Sequence, residues 1–127
     1  MALGYSTTLR TAQVDELAAA IGVSGKLIVM SGVRPAFGGA TTQVLVELPL
    51  SATAGTAANG VFTFDTITTT TATDSGTPTW ARVATSADVP VADMSAGLSG
   101  ADLNFNQPIA LGGDVSVSSL TITNGTP

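Results

Sequence analysis

The 127-residue sequence predicts a mainly β domain: a β-sandwich or jelly roll of about eight short strands with one N-terminal α-helix. Three observations predict it. Apolar runs of strand length recur from residue 26 to residue 123, separated by Gly, Pro and Asp turn signals. Helical spacing occurs only before residue 22. Threonine, a β-branched residue suited to strands, is the commonest residue, at 20 positions. A closed barrel is the main competing architecture. The length suits a single domain over 1–127, with the helix over 6–21 and the sandwich over 26–123.

The helix rests on a cap at Ser6, Thr7 or Thr8, a stop at Gly22, and a stripe of Arg10, Val14, Leu17 and Ile21. A helix of this length is marginal alone in water, so it has to pack on something. It either covers a sheet of its own domain or docks on a neighbouring subunit. Lys26–Ser31 is the first strand. Residues 32–40 form a loop broken by Pro35 and Gly38–Gly39. Gln43–Leu48 is the second strand, with Val44, Val46 and Leu48 expected on one face. Residues 51–60 are small and polar and read as a surface loop.

Val61–Thr66 alternates, with Phe62 and Phe64 to one side, and Thr68–Thr71 continues the β-branched run. Asp74–Pro78 is a turn. Thr79–Ser86 places Trp80, Arg82 and Ala84 on one face, and Ala81, Val83 and Thr85 on the other. In 88–94, Pro90 points to an edge strand. Residues 95–100 read as a loop, and 102–107 as a strand with Leu103 and Phe105 inward. In 115–123 the apolar parity switches between Val115/Val117 and Leu120/Ile122. That switch predicts a bulge or bend at Ser118–Ser119.

Composition narrows the function. The chain has no His and no Cys, and only four basic residues: Arg10, Lys26, Arg34 and Arg82. Its net charge is −5. Nucleic-acid binding needs a basic patch that releases counterions, and anionic membranes attract clustered cations, so neither is an expected partner. The first ten residues carry no apolar leader core, which leads to the expectation of synthesis in a cytoplasm without a secretion signal. Charged residues are only 10%, a surface poorly defended against association.

Residue patterns that could carry chemistry are few. A Ser24–Lys26 pair lacks any oxyanion motif, and triads built on histidine are absent. Carboxylate pairs are too many among nine acids to carry a signal, and the aromatic lining of a sugar cleft is missing. Asp102-Leu-Asn104-Phe-Asn106 has the opening of a calcium loop, but Gln107 replaces the required Gly and Gly113 the closing Glu. The glycine pairs 38–39 and 112–113 lack the lysine of a phosphate loop, and Asn124-Gly-Thr126 is a chance glycosylation match. The expectation is a non-enzyme with no cofactor and no metal site.

Four residues are candidates for protein contact. Arg34 and Phe37 place a cation and an aromatic on a Gly-rich loop, where binding residues concentrate. Trp80 and Arg82 share a strand face and belong to the residue types enriched in interface hot spots. The alternative for that pair is a core tryptophan with an arginine at its rim.

The segments KLIVMSGVRPA (26–36), LVELPLSA (45–52), GTPTWARVATS (76–86) and ADLNFNQPIALGGDVSVSSLTITNG (101–125), following a capped helix, are similar to small virion proteins of tailed bacteriophages. The resemblance rests on segment order and texture over nearly the whole chain. It implies a structural protein of the cement or decoration type on the capsid surface. Such a protein partners itself, as a dimer or trimer, and the phage major capsid protein. A tail or baseplate connector, or a fibre-attachment component, is the alternative. A carbohydrate-binding module of the virion surface ranks third, for want of an aromatic platform.

Overall fold

Ser6 opens the first element as the sequence predicts, its hydroxyl accepting the Leu9 backbone N–H at 3.1 Å. The computed structural model describes residues 6–101, 103–105, 107–117 and 120–123. Helix α1 (Thr7–Ile21) ends at Gly22, whose φ of 72° falls in the region open to glycine. Val14 and Ile21 are buried, with Leu17 and Ala18 packed beside them. Thr11 Oγ1 accepts the Gly60 N–H at 2.8 Å, fixing the helix to the sheet of its own domain.

Among the described residues the fold is mainly β, with ten short strands. Strands β1 (Lys26–Ser31), β2 (Gln43–Pro49), β3 (Gly55–Ala58), β4 (Val61–Phe64), β5 (Thr70–Thr71), β6 (Trp80–Ala84), β7 (Pro90–Gly97), β8 (Leu103–Asn104), β9 (Asp114–Val115) and β10 (Thr121–Thr123) form three sheets. The largest has the order β2-β1-β6-β7-β8; the others are β10-β4-β3 and β5-β9. Leu27, Val29, Ala81 and Val83 from the large sheet share one apolar core with Phe62, Phe64 and the helix. Phe62 and Phe64 meet edge to face, with centroids 5.0 Å apart.

Several expectations require correction. Val44, Val46 and Leu48 do not share a face. Val29 pairs with Val46 and Met30 with Val44, which leaves Leu45 as the extra residue of a bulge. The bulge sends Leu45, Val46 and Leu48 into the main core and turns Val44 to the opposite face. The loop expected over 51–60 contains β3. It pairs with β4 through a two-residue turn at Asn59 (φ 53°) and Gly60 (φ 76°). These angles are those of the hairpin turn that Asn-Gly favours, a signal the composition of the segment hid.

β7 runs on to Gly97, through part of the segment read as a loop, because β6 pairs with it up to Ser95 and β8 lies parallel to Ala96–Gly97. Pro90 is its first residue, where no lost donor breaks a ladder. Among the described residues of 102–107, Leu103–Asn104 is strand, with Leu103 buried and Phe105 half-buried. The single strand expected over 115–123 is two: β9 pairs with β5, and β10 with β4. The change of sheet separates the two apolar parities; Ser118 and Ser119 lie outside the described residues.

Strand directions sort the connections of the large sheet into two ends. β1 and β7 run one way, β2 and β6 the other. The 32–42 loop, the 74–78 turn and residues 98–101 therefore gather at one end. The 22–25 turn and the 85–89 turn gather at the other.

Candidate functional site

Trp80, on the face of the large sheet away from the main core, joins Ile28, Met30 and Ala84 in a second apolar cluster. Its ring is fully buried. Its Nε1–H donates to Thr42 Oγ1 at 2.8 Å, and the Thr42 hydroxyl in turn donates to the Ser31 carbonyl. Arg82, two residues on, is 4% exposed. Its guanidinium bonds Asp93 twice, at 2.7 Å and 3.1 Å, and lies 5.1 Å from the Trp80 ring centroid. The hydrogen bond to Asp93 holds the Arg82 pKa above its ordinary value, against the opposing effect of burial.

Trp80 and Arg82 therefore belong to the interior, and their place among the contact candidates is corrected. The ring that sequence alone left between core and surface fills the cluster, and the guanidinium is committed to Asp93. Asp93 is the residue the sequence reading missed. Its partner was legible only through the β6–β7 register, which sets Arg82 opposite Asp93.

Arg34 and Phe37 remain on the surface. Both lie in the 32–42 loop, with Phe37 64% exposed and Val33, next to Arg34 in sequence, 88% exposed. The loop is anchored at each end. Thr79 Oγ1 donates to the Gly32 carbonyl at 2.6 Å, and Thr42 holds Trp80 and Ser31. The buried tryptophan thus serves as the footing of an exposed loop that carries two apolar side chains and a cation. Among the described residues Arg34 has no ion-pair partner. Leu98 and Leu111, also exposed, stand on connections at the same end.

Lys26 and Asn104 are occupied structurally. Lys26 Nζ lies 2.7 Å from Asp88 Oδ1 and 3.6 Å from Glu47 Oε1. The hydrogen bond to Asp88, more than any other contact, raises the Lys26 pKa. Asn104 gives both side-chain polar atoms to the backbone of Ala101, at 3.1 Å and 2.9 Å. Asp102 and Asn106 lie outside the described residues. Two shallow depressions, of about 250 Å³ along 105–116 and about 330 Å³ along 63–67 and Leu120, contain one carboxylate each among their described lining, Asp114 and Asp65. Among the described residues no three His, Cys, Asp or Glu side chains gather as a metal site would require. Among them also, no helix is long and apolar enough to cross a membrane.

The arrangement supports contact chemistry: a rigid footing, a short exposed loop, and a cation among apolar side chains. Compared with family models, with curated proteins and with solved structures, the chain matches none.

Proposed function

We propose that the chain is a non-enzymatic structural protein that acts by contact, as a cement or decoration protein bridging neighbouring capsid subunits of a tailed phage. The observation that carries the contact reading is the 32–42 loop. It holds Val33, Arg34 and Phe37 in solvent while its two ends are tied to the Trp80 cluster. An ordered loop binds without the full entropic cost of ordering on contact. The virion role is supported by the sequence resemblance, and by a charge-poor surface suited to close packing. A cement protein needs broad contact and many copies, whose weak attachments strengthen one another.

The experiment compares complete particles with particles stripped of the protein, under heat and osmotic shock. Stripped particles are expected to break first and to recover on adding the protein back. Equal survival overturns the cement role. A count of a few copies per particle, where capsid occupancy demands many, places the protein in the tail or baseplate instead.

A further inference from the structure

The β3–β4 hairpin turns on Asn59-Gly60, and the two residues meet different surroundings. Asn59 is exposed, with a φ of 53°, and among the described residues its side-chain amide has no hydrogen-bond partner. Gly60 is buried. Its N–H donates to Thr11 Oγ1 of helix α1 at 2.8 Å, and a Cβ at this position would meet Arg10 Cβ at 3.2 Å and Arg10 Nη1 at 3.3 Å. One residue of the turn is therefore open to water, while the backbone nitrogen of the next is held against the helix. That nitrogen is the nucleophile in the side-chain chemistry to which Asn-Gly is prone, because glycine has no side chain to hinder its approach to the preceding Cγ. It attacks only once its proton has gone, and the hydrogen bond that the neutral N–H makes to Thr11 disfavours that loss.

We propose that Asn59 is a site of spontaneous deamidation that the docking of helix α1 holds in check. The Gly60 nitrogen gives its proton to hydroxide and bonds to Asn59 Cγ. The Cγ–NH2 bond breaks, and the side-chain nitrogen leaves as ammonia with a proton from water. The product is a cyclic imide. Water then adds to either of the imide carbonyls and opens the ring, leaving aspartate or, where the main chain now runs through Cγ, isoaspartate. Nothing is oxidised or reduced; ammonia leaves and water enters. In the folded chain the ring closes only after the Thr11–Gly60 bond opens, so the reaction passes through local release of the helix from the turn. Isoaspartate adds a methylene to the main chain beside the pair Ala58 and Val61, at the turn that sets the hairpin register. The proposal is independent of the contact reading of the 32–42 loop.

The experiment incubates the purified full chain at mildly alkaline pH and follows residue 59 by peptide mass mapping, with thermal melts to confirm folding. Asn124-Gly125, the other Asn-Gly of the sequence, is mapped separately. Residue 59 is expected to convert about tenfold or more slowly in the folded chain than in the chain unfolded in guanidinium chloride. Thr11→Val, which keeps the shape of the side chain but removes the acceptor, is expected to speed conversion of the folded chain about three- to tenfold, the worth of a hydrogen bond. Thr11→Ser retains the hydroxyl, and Thr8→Val changes an exposed threonine of the same helix; both are expected to convert at the wild-type rate. Equal rates at residue 59 in the folded and unfolded wild type, or no conversion there in the unfolded chain, overturn the proposal. So does a folded Thr11→Val that converts no faster than wild type.

Discussion

Arg82 and Asp93 face each other across β6 and β7 with side chains 5% and 6% exposed, joined by two hydrogen bonds of 2.7 Å and 3.1 Å. A buried pair of this kind contributes little net stability, because desolvating both charges offsets their attraction, yet removing one partner leaves the other charge uncompensated. Asp93→Ala is therefore expected to cost about 3–5 kcal/mol in urea unfolding. The double replacement Arg82→Met with Asp93→Leu is expected to cost much less than the sum of the single changes. Additive losses would show that the two side chains are not energetically coupled.

Trp80 is the footing of the 32–42 loop as well as the largest side chain of its cluster. Trp80→Ala is expected to cost about 3–5 kcal/mol, the range for aromatic truncations in cores. Trp80→Phe keeps most of the ring but loses the Nε1–H donated to Thr42, so it is expected to cost less in stability while loosening the loop. The check is a denaturation series paired with amide exchange over residues 32–42. A loss below about 1 kcal/mol for Trp80→Ala would mean that the ring contributes no core packing.

The helix and the first strand were legible in the sequence because local signals and tertiary packing agree there. Ser6, the Val14–Ile21 stripe and Gly22 all point to one helix, and KLIVMS has turn signals on both sides. The alternation of Trp80, Arg82 and Ala84 against Ala81 and Val83 was equally readable, and it assigned the two faces of β6. β3 was not, because Gly55-Thr-Ala-Ala has no apolar rhythm and is made a strand by its pairing with β4. The bulge at Leu45 was hidden for a different reason. The three-residue apolar run Val44-Leu45-Val46 suits either register, and only the pairing with β1 decides between them. For the site, the loop with Arg34 and Phe37 was visible from Pro and Gly, whereas the commitment of Arg82 to Asp93 depends on a cross-strand register that sequence order does not state.

Gly55 is where β3 and β4 come closest. A Cβ there would stand 2.2 Å from the Thr63 carbonyl oxygen and 2.8 Å from the Phe64 Cα. Both are backbone atoms of the paired strand, so no side-chain rotation relieves the clash. Gly55→Ala is expected to destabilise by about 1–3 kcal/mol or more, the cost of forced backbone shifts in a packed interior. Gly38→Ala is a useful contrast, since nothing lies within 4 Å of its Cβ position and only its φ of 83° opposes the change. Thermal melts of the two variants are expected to rank Gly55→Ala as the worse. The reverse order would mean that the β3–β4 approach is looser than these distances.

Asp74 ties the start of β2 to the turn that precedes β6, and its chemistry sets an acid limit. The Gln43 side-chain amide donates to Asp74 Oδ2 at 2.8 Å, and the Ser75 N–H donates to Oδ1 at 2.8 Å. Both favour the carboxylate, Gln43 the more, and hold the Asp74 pKa below its ordinary value. A carboxylate with a depressed folded-state pKa stabilises the fold fully above its unfolded value of about 3.9, and that contribution is lost as pH falls through the folded value. Lys26 acts with the opposite sign: its raised pKa gives stability that is complete below the unfolded value and lost as pH rises through the folded one. Gln43→Ala removes the larger influence on Asp74, so stability measured against pH is expected to fall less steeply on the acid side, with the alkaline side unchanged. An acid limb as steep as that of the wild type would place the acid sensitivity on another carboxylate.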